Sequence, residues 1–442
     1  MPEGRPAWLG ALLWESECVG EQNTWAAPTA DGPIDAVVRV PGSKSITNRA
    51  FVLAALSSGD TLVRDPLDSR DARLMLSALG RLGADSETLP HGVRLRPLTR
   101  GDGDVTVALG NAGTVARFTP PLAALGARSV HFDGDPAIRR RPVGPLLRAL
   151  GALGADIDDD GRGTVPFTVR GHGGLAGGDV DIDSSASSQF LSALLLSAPA
   201  FERGVTVRLR GRTPSEPHIA MTLDMLRRFG AAPERDGDRF HVPPATLSLA
   251  EYTVEPDLSS AAPFVVAPLL TGGTVRVEGW PTATTQPGDW LRSLVAELGG
   301  SAVLSGDGLT VTGTGSVTGA TLDLHEVGEL TPVVAALLCC ADGPSEIRGV
   351  AHLRGHETDR LAALATELSA LGGDVTETED GLRIRPAPLH GGVFHTYDDH
   401  RLVMAGAVLA LRVPGVTVEN PATVGKTYPG FVPDWEGVLT AR

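Results

Sequence analysis

Cations and hydroxyls in this chain gather where strand gives way to helix. In Val40-Pro41-Gly42-Ser43-Lys44-Ser45-Ile46-Thr47-Asn48-Arg49, a β-type run over 36–40 stops at a Pro-Gly breaker, and an apolar helix follows from Ala50. Free N–H groups and the positive end of a helix dipole attract a phosphate or carboxylate, and Lys44 and Arg49 add full charges. Other cations occupy comparable stations: Arg139-Arg140-Arg141 before a helix, Arg354 and Arg360 around another, Arg401 after Asp398-Asp399-His400, and Lys426 in Gly425-Lys426-Thr427. The chemistry this suits is the binding of anionic small molecules. Taken alone, the first segment fits equally a capped strand-to-helix connection with solvated cations. Ser, Thr, Asp and Asn are ordinary N-caps, and that explains Asp257 and Ser259. It does not explain Lys44, Arg49 and Arg401, because a cation at a helix N-terminus opposes the dipole.

The elements that must position these residues repeat. A β-like run ends in a polar turn, and a helix then ends in Leu82-Gly83-Ala84, Leu153-Gly154-Ala155, Phe229-Gly230-Ala231, Leu298-Gly299-Gly300 and Leu371-Gly372-Gly373. Successive starts lie roughly 68 to 78 residues apart, a regular internal repeat. A second helix recurs once per unit, opening at Lys44, Asn111, Ser187, Asp257, Glu329 and Asp398 and continuing as an apolar run such as Phe190-Leu191-Ser192-Ala193-Leu194. Helices that are apolar all round are buried ones. The expectation is an α/β (α+β) protein built from six units of β-α-β-α plus further strands, three to a domain, with helices inside and sheets outside. Its polar helix openings would face one cleft.

Bulk properties bound the rest. A chain of 442 residues is too long for one core. Net charge −15 and 5% aromatics give neither the basic face nor the stacking surface of a nucleic-acid binder. Cys18, Cys339 and Cys340 form no metal or redox pattern and read as small buried residues in a reducing compartment. No run of 18 apolar residues exists, and Trp8 to Trp14 lacks a signal-peptide layout, so a cytoplasmic protein without membrane contact is expected.

The chain resembles the 5-enolpyruvylshikimate-3-phosphate (EPSP) synthase family from about Trp25 onward. The motifs are PGSKSITNR at 41–49, GNAGTVARF at 110–118, RRPVGPLL at 140–147, SASSQFLSALLLSA at 185–198, GHETDRLAALATEL at 355–368 and DDHRLVMAGA at 398–407. GELTPVVAALL with GHETDR is similar to the actinobacterial branch. The resemblance implies the two-domain inside-out α/β barrel of the enolpyruvyl transferases. It implies a first domain of 31–42 plus 255–442, a second of 43–254 and crossings near 40–43 and 254–257; residues 1–30 read by themselves as a loosely structured extension. It also implies transfer of the enolpyruvyl group of phosphoenolpyruvate to the 5-hydroxyl of shikimate 3-phosphate, a shikimate-pathway step and a glyphosate target. Arg and Lys clamps carry the electrostatics of that reaction, so neither metal nor cofactor is called for, and a monomer is expected.

Position by position, Lys44, Asn111, Gly113, Arg141, Gln189, Arg360, Arg401 and Lys426 match phosphoenolpyruvate-site residues. Lys44, Ser45, Arg49, Ser187, Ser188, Gln189, Ser215, Glu329 and His356 match the shikimate 3-phosphate site. Glu329 stands where the family has a proton acceptor, usually Asp, and Glu357 assisted by Lys44 is the candidate for protonating the enol carbon. His352 and His356 replace the family's usual Asn and Lys, and His218 replaces a frequent Tyr. His356 is expected to reach the substrate, whereas His352 and His218 fit surface positions better. UDP-N-acetylglucosamine enolpyruvyl transferase is the rival reading, but the loop from Asp135 to Arg141 carries no cysteine. A non-catalytic scaffold would keep the repeats and lose Glu329 and Glu357.

Overall fold

Two separate hydrophobic cores organise the computed structural model, which describes residues 23–99, 101 and 103–440. One core holds buried residues from Trp25 to Val40 and from Leu258 to Val438; the other runs from Ile46 to Val254. Cys18 and the Trp8 to Trp14 run lie outside the described residues. Cys339 is buried and Cys340 half-buried, both as free thiols. Among the described residues no helix is long and apolar enough to cross a membrane.

The apolar runs form the helices Lys44–Ala55, Gly113–Phe118, Gln189–Ser197, Ala262–Thr271, Thr331–Cys339 and His400–Ala410. Every residue of His400–Ala410 is buried, the signature of a helix packed on all sides. Burying each Leu or Phe of such a helix contributes roughly 1.5–3 kcal/mol. Around them lie six sheets among the described residues, five of four strands and one of three. In Val105–Ala108, Ser129–Asp133, Phe167–Arg170 and Asp156–Asp158, the first two strands pair parallel and the rest antiparallel. That order follows from the unit: a helix crossover makes the parallel pair and a hairpin supplies the last two strands.

The Leu-Gly-Ala signature is a helix stop. Gly83 takes φ 109° after Arg70–Leu82, and Ala84 N returns to Leu79 O at 2.9 Å. The same six-to-one bond closes four later helices, at Ala155, Ala231, Gly300 and Gly373. A left-handed residue of this kind favours glycine.

Two features complete the pattern. First, two units exchange strands: Ile34–Val38 pairs parallel with Gly273–Glu278, and Glu251–Thr253 pairs parallel with Thr61–Arg64. The chain passes between the cores right after these strands, at 40–43 and 254–257, and the two passages hydrogen-bond to each other. Ser43 N donates to Glu255 O and Asp257 N to Pro41 O, both at 2.8 Å. Second, residues 23–30, the described part of the segment expected to be a loose extension, enter the fold. Thr24–Ala26 pairs antiparallel with Val416–Glu419, taking the place of the hairpin that the sixth unit lacks, and Trp25 packs into the core.

Candidate active site

The openings of the buried helices converge on a cleft between the two cores. Lys44, Ser45, Arg49, Gly113, Arg141, Ser187, Ser188, Gln189 and Ser215 line it from one side, and Glu329, His356, Glu357, Arg401 and Lys426 from the other. Ser43 and Ser188 hold N-cap positions, yet neither side chain caps its helix, so both hydroxyls remain free for other partners. Six Lys and Arg residues face four carboxylates in this lining, an excess of positive charge on a protein of net charge −15. Such local concentration draws anions to an acidic protein.

Asn111 and Arg360 stand apart from the other expected residues. Asn111 presents its backbone oxygen to Lys426 Nζ at 3.4 Å, while its side-chain Oδ1 is buried without a hydrogen-bond partner. Arg360 is fully buried behind the wall. Its Nε and Nη2 donate to the two oxygens of Asp399 at 2.8 and 3.2 Å, Nη1 reaches Glu329 at 3.3 Å, and Nη2 reaches Glu357 at 3.2 Å. Burial alone would lower the Arg360 pKa, but Asp399, Glu329 and Glu357 outweigh it and raise it. Arg360 therefore ties both candidate proton-transfer carboxylates to the start of His400–Ala410.

Glu357 lies among cations. Lys426 Nζ is 2.6 Å from its Oε1, and Arg141 Nη1 is 4.0 Å away. Burial pushes this carboxyl up, but Lys426, Arg141 and Arg360 prevail and hold it well below the usual carboxylate range. Glu329 is lowered in the same way, with Arg360 and then Arg401, 3.3 Å away, overcoming burial. Burial lowers the Lys44 ammonium, which Asp71 at 4.0 Å partly offsets. Arg141 Nε and Nη1 are buried without hydrogen-bond partners, as is Gln189 Oε1. The two guanidinium donors are costly to leave unpaired and an anion would satisfy them, whereas the Gln189 oxygen needs a donor such as a hydroxyl.

Arg49 has only neutral partners: Thr222 Oγ1 at 2.8 Å, Ser45 O at 3.0 Å and Ser192 Oγ at 3.2 Å, with the Phe118 ring 5.2 Å from Cζ. Burial pushes its pKa down to about 9, so it stays charged at neutral pH. An unpaired buried charge calls for a counterion. Around it His218, His352 and His356 also line the cleft, so the surface placement expected for His218 and His352 is wrong. Burial first, and then Arg49 for His218, His325 for His352 and Arg360 for His356, lower the three imidazoles to about 4, 4 and 3. All three are neutral hydrogen-bonding groups at neutral pH.

Sequence reasoning missed Asp71, Thr114, Arg117 and Gln286, which share the lining, and Asp399 behind it. Asp257 was taken for a plain cap. It does accept from Ser260 N at 2.9 Å, but its other oxygen accepts from Lys44 N at 3.2 Å across the two passages. Arg117 had a signal, a lone cation in the otherwise apolar Gly113–Phe118. Its Nη1 and Arg141 Nη2 both lie 2.9 Å from where a Cβ on Gly113 would stand, so glycine lets the two guanidiniums meet. Among the described residues no group of three or more His, Cys, Asp or Glu is placed to hold a metal ion.

Two cores of one repeated unit, helices within and sheets without, closing on a cation-lined cleft define an enolpyruvyl-transferase-type protein. The family model described as EPSP synthase (3-phosphoshikimate 1-carboxyvinyltransferase) matches residues 28–435. The 3-phosphoshikimate 1-carboxyvinyltransferase of Kocuria rhizophila is 51% identical over 428 residues, covering 94% of this chain and 96% of that one. An EPSP synthase from Acinetobacter baumannii shares the fold with TM-score 0.78 at 24% identity, covering 93% of this chain and 97% of that one. The enolpyruvyl transferase NikO from Streptomyces tendae does so with TM-score 0.74 at 17% identity, covering 93% and 96%. The chain belongs to the EPSP synthase family.

Proposed function

We propose that the cleft binds shikimate 3-phosphate and phosphoenolpyruvate together and carries out the family's enolpyruvyl transfer. The enol carbon takes a proton, the 5-hydroxyl of shikimate 3-phosphate loses one and attacks, and a tetrahedral intermediate forms. Loss of a proton from the new methyl group and release of phosphate then give 5-enolpyruvylshikimate 3-phosphate. The observation that carries this reading is Glu357 held among Lys426, Arg141 and Arg360, with Glu329 tied to it through Arg360.

In this reading Arg141, Lys426 and Arg401 take the phosphoenolpyruvate carboxylate and phosphate, with Gly113, Asn111, Gln189 and Lys44 beside them. The planar guanidinium forks match both groups. Arg49, Ser45, Ser187, Ser188, Gln189, Ser215 and His356 take shikimate 3-phosphate, and Arg49 gains the counterion it lacks. Glu329, ionised between Arg360 and Arg401, accepts the hydroxyl proton. Glu357 is the acid and base at the enol carbon. When the phosphoenolpyruvate anion engages Lys426 and Arg141, their pull on Glu357 is neutralised and its pKa rises, which loads it with the proton it must give. Arg360 acts from behind by fixing both carboxylates.

Both passages between the cores sit just before cleft-lining helix starts, so binding draws the cores together about 40–43 and 254–257 and expels water. A monomeric enzyme acting in the cytoplasm is part of this reading. The test is direct: purified protein given both substrates should release phosphate. No release, or equal turnover with UDP-N-acetylglucosamine in place of shikimate 3-phosphate, would sink the reading.

A further inference from the structure

Ser215 holds the N-cap position of Glu216–Arg228 in the left-handed region, φ 57°, and makes no side-chain cap bond. An N-cap serine ordinarily turns its oxygen back to the first turn of its helix; here the residue lines the cleft instead. The helix start is nonetheless satisfied. Pro217 carries no N–H, and His218 N donates to Ser215 O at 3.0 Å. Glu216 N donates to Glu326 Oε2 at 2.6 Å. Glu326 belongs to the 3-10 segment His325–Leu330, which also carries Glu329 and packs with the other core. A carboxylate from one core thus caps a helix of the other, across the cleft, where negative charge suits the dipole.

Two other polar contacts across the cleft are exposed to competition. Lys426 with Asn111 O and Arg141 with Glu357 use side chains assigned above to phosphoenolpyruvate, so a bound substrate competes with them. Glu326 is not part of the cleft lining, so a substrate there does not compete directly for its contact. We propose that Glu326 is a latch, a positioning residue that caps Glu216–Arg228 when the cores close. It takes over the cap from Ser215, leaves that hydroxyl to shikimate 3-phosphate and makes the closed cleft the lower-energy state. The inference rests on the reading of Ser215 and of closure given above.

The test uses the full chain with Glu326→Gln, Glu326→Ala and Glu326→Lys. Small-angle scattering reads compaction during a shikimate 3-phosphate titration, and steady-state kinetics reads KM and kcat. Gln keeps an acceptor oxygen, Ala removes it, and Lys sets a cation against the dipole. The concentration needed for compaction should rise in the order wild type, Gln, Ala, Lys. For Ala the rise should be roughly three- to tenfold, with the shikimate 3-phosphate KM following it and kcat within about twofold. A merely structural role would lower the melting temperature without producing that order. If all three variants compact at the wild-type concentration, the latch is wrong and the site reading stands. If wild-type enzyme turns over without any compaction, closure and the latch fall together.

Discussion

Two single-residue changes separate holding the substrates from moving the proton. Glu357 approaches Lys426, Arg141 and Arg360, so Glu357→Gln keeps the shape of the contact and removes the titrating group. Turnover should fall by about 10²–10⁴-fold, the usual worth of a general acid or base. Phosphoenolpyruvate binding, read by calorimetry with shikimate 3-phosphate present, should persist; near-normal turnover would remove Glu357 from the proton path. Gly113→Ala acts by geometry instead. The new Cβ meets the ends of two flexible side chains, Arg117 Nη1 and Arg141 Nη2, each at 2.9 Å, and these yield more cheaply than backbone. Stability should change by less than about 1 kcal/mol. Displacing Arg141 should raise the phosphoenolpyruvate KM by about tenfold, a loss of about 1.4 kcal/mol in binding, while the KM for shikimate 3-phosphate moves little. Equal rises in both would mean the cleft as a whole had shifted.

At the scale of elements, local signals were legible and distant pairings were not. Buried helices announce themselves by being apolar all round, and Lys44 and Arg401 stood out because cations oppose a helix N-terminus. The strand exchange was legible only through the family resemblance, which sets 31–42 beside 255–442; nothing in the composition of residues 34–38 itself names a partner at 273–277. Thr24–Ala26 looked loose for the same reason: three residues make a strand only once Val416–Glu419 is beside them. Asp399 hid because an aspartate at a helix opening is an ordinary cap; only its burial, which a lone sequence does not display, makes it unusual. Pro41-Gly42 reads as a strand breaker at the first crossing, and its glycine also answers to a tertiary contact. A Cβ on Gly42 would stand 2.3 Å from Asp65 O and 3.2 Å from Val254 Cγ1. Backbone oxygen cannot swing aside, so Gly42→Ala should cost about 1–3 kcal/mol. It should loosen the paired passages, measurable as a lower urea midpoint with an unchanged slope; an unaltered midpoint would show that the passages flex freely.

Across the whole molecule, the cleft's electrostatics set a pH dependence of stability for the ligand-free enzyme. Burial first and nearby cations second lower His218 to about 4 and His356 to about 3; burial and then His325 lower His352 to about 4. His400, fully buried with neither ring nitrogen hydrogen-bonded, is also held well below its ordinary value by burial and then Arg401. In the unfolded chain each would titrate near 6.5. Between that value and about 4 the unfolded state binds protons that the folded state refuses, so stability falls as pH drops through this window. Each proton taken up adds at most about 1.4 kcal/mol per pH unit to the slope. Glu329 and Glu357 contribute in the same direction only lower down: their depressed pKa values stabilise the fold above the ordinary carboxylate range, and that is lost on further acidification. Urea midpoints at pH 7.5, 6.5, 5.5 and 4.8 should therefore hold steady to about 6.5 and then decline before carboxylates begin to titrate. A profile flat down to pH 4.8 would mean that the cleft histidines take up protons in the folded protein, and the neutral hydrogen-bonding role assigned to His356 would fall with it.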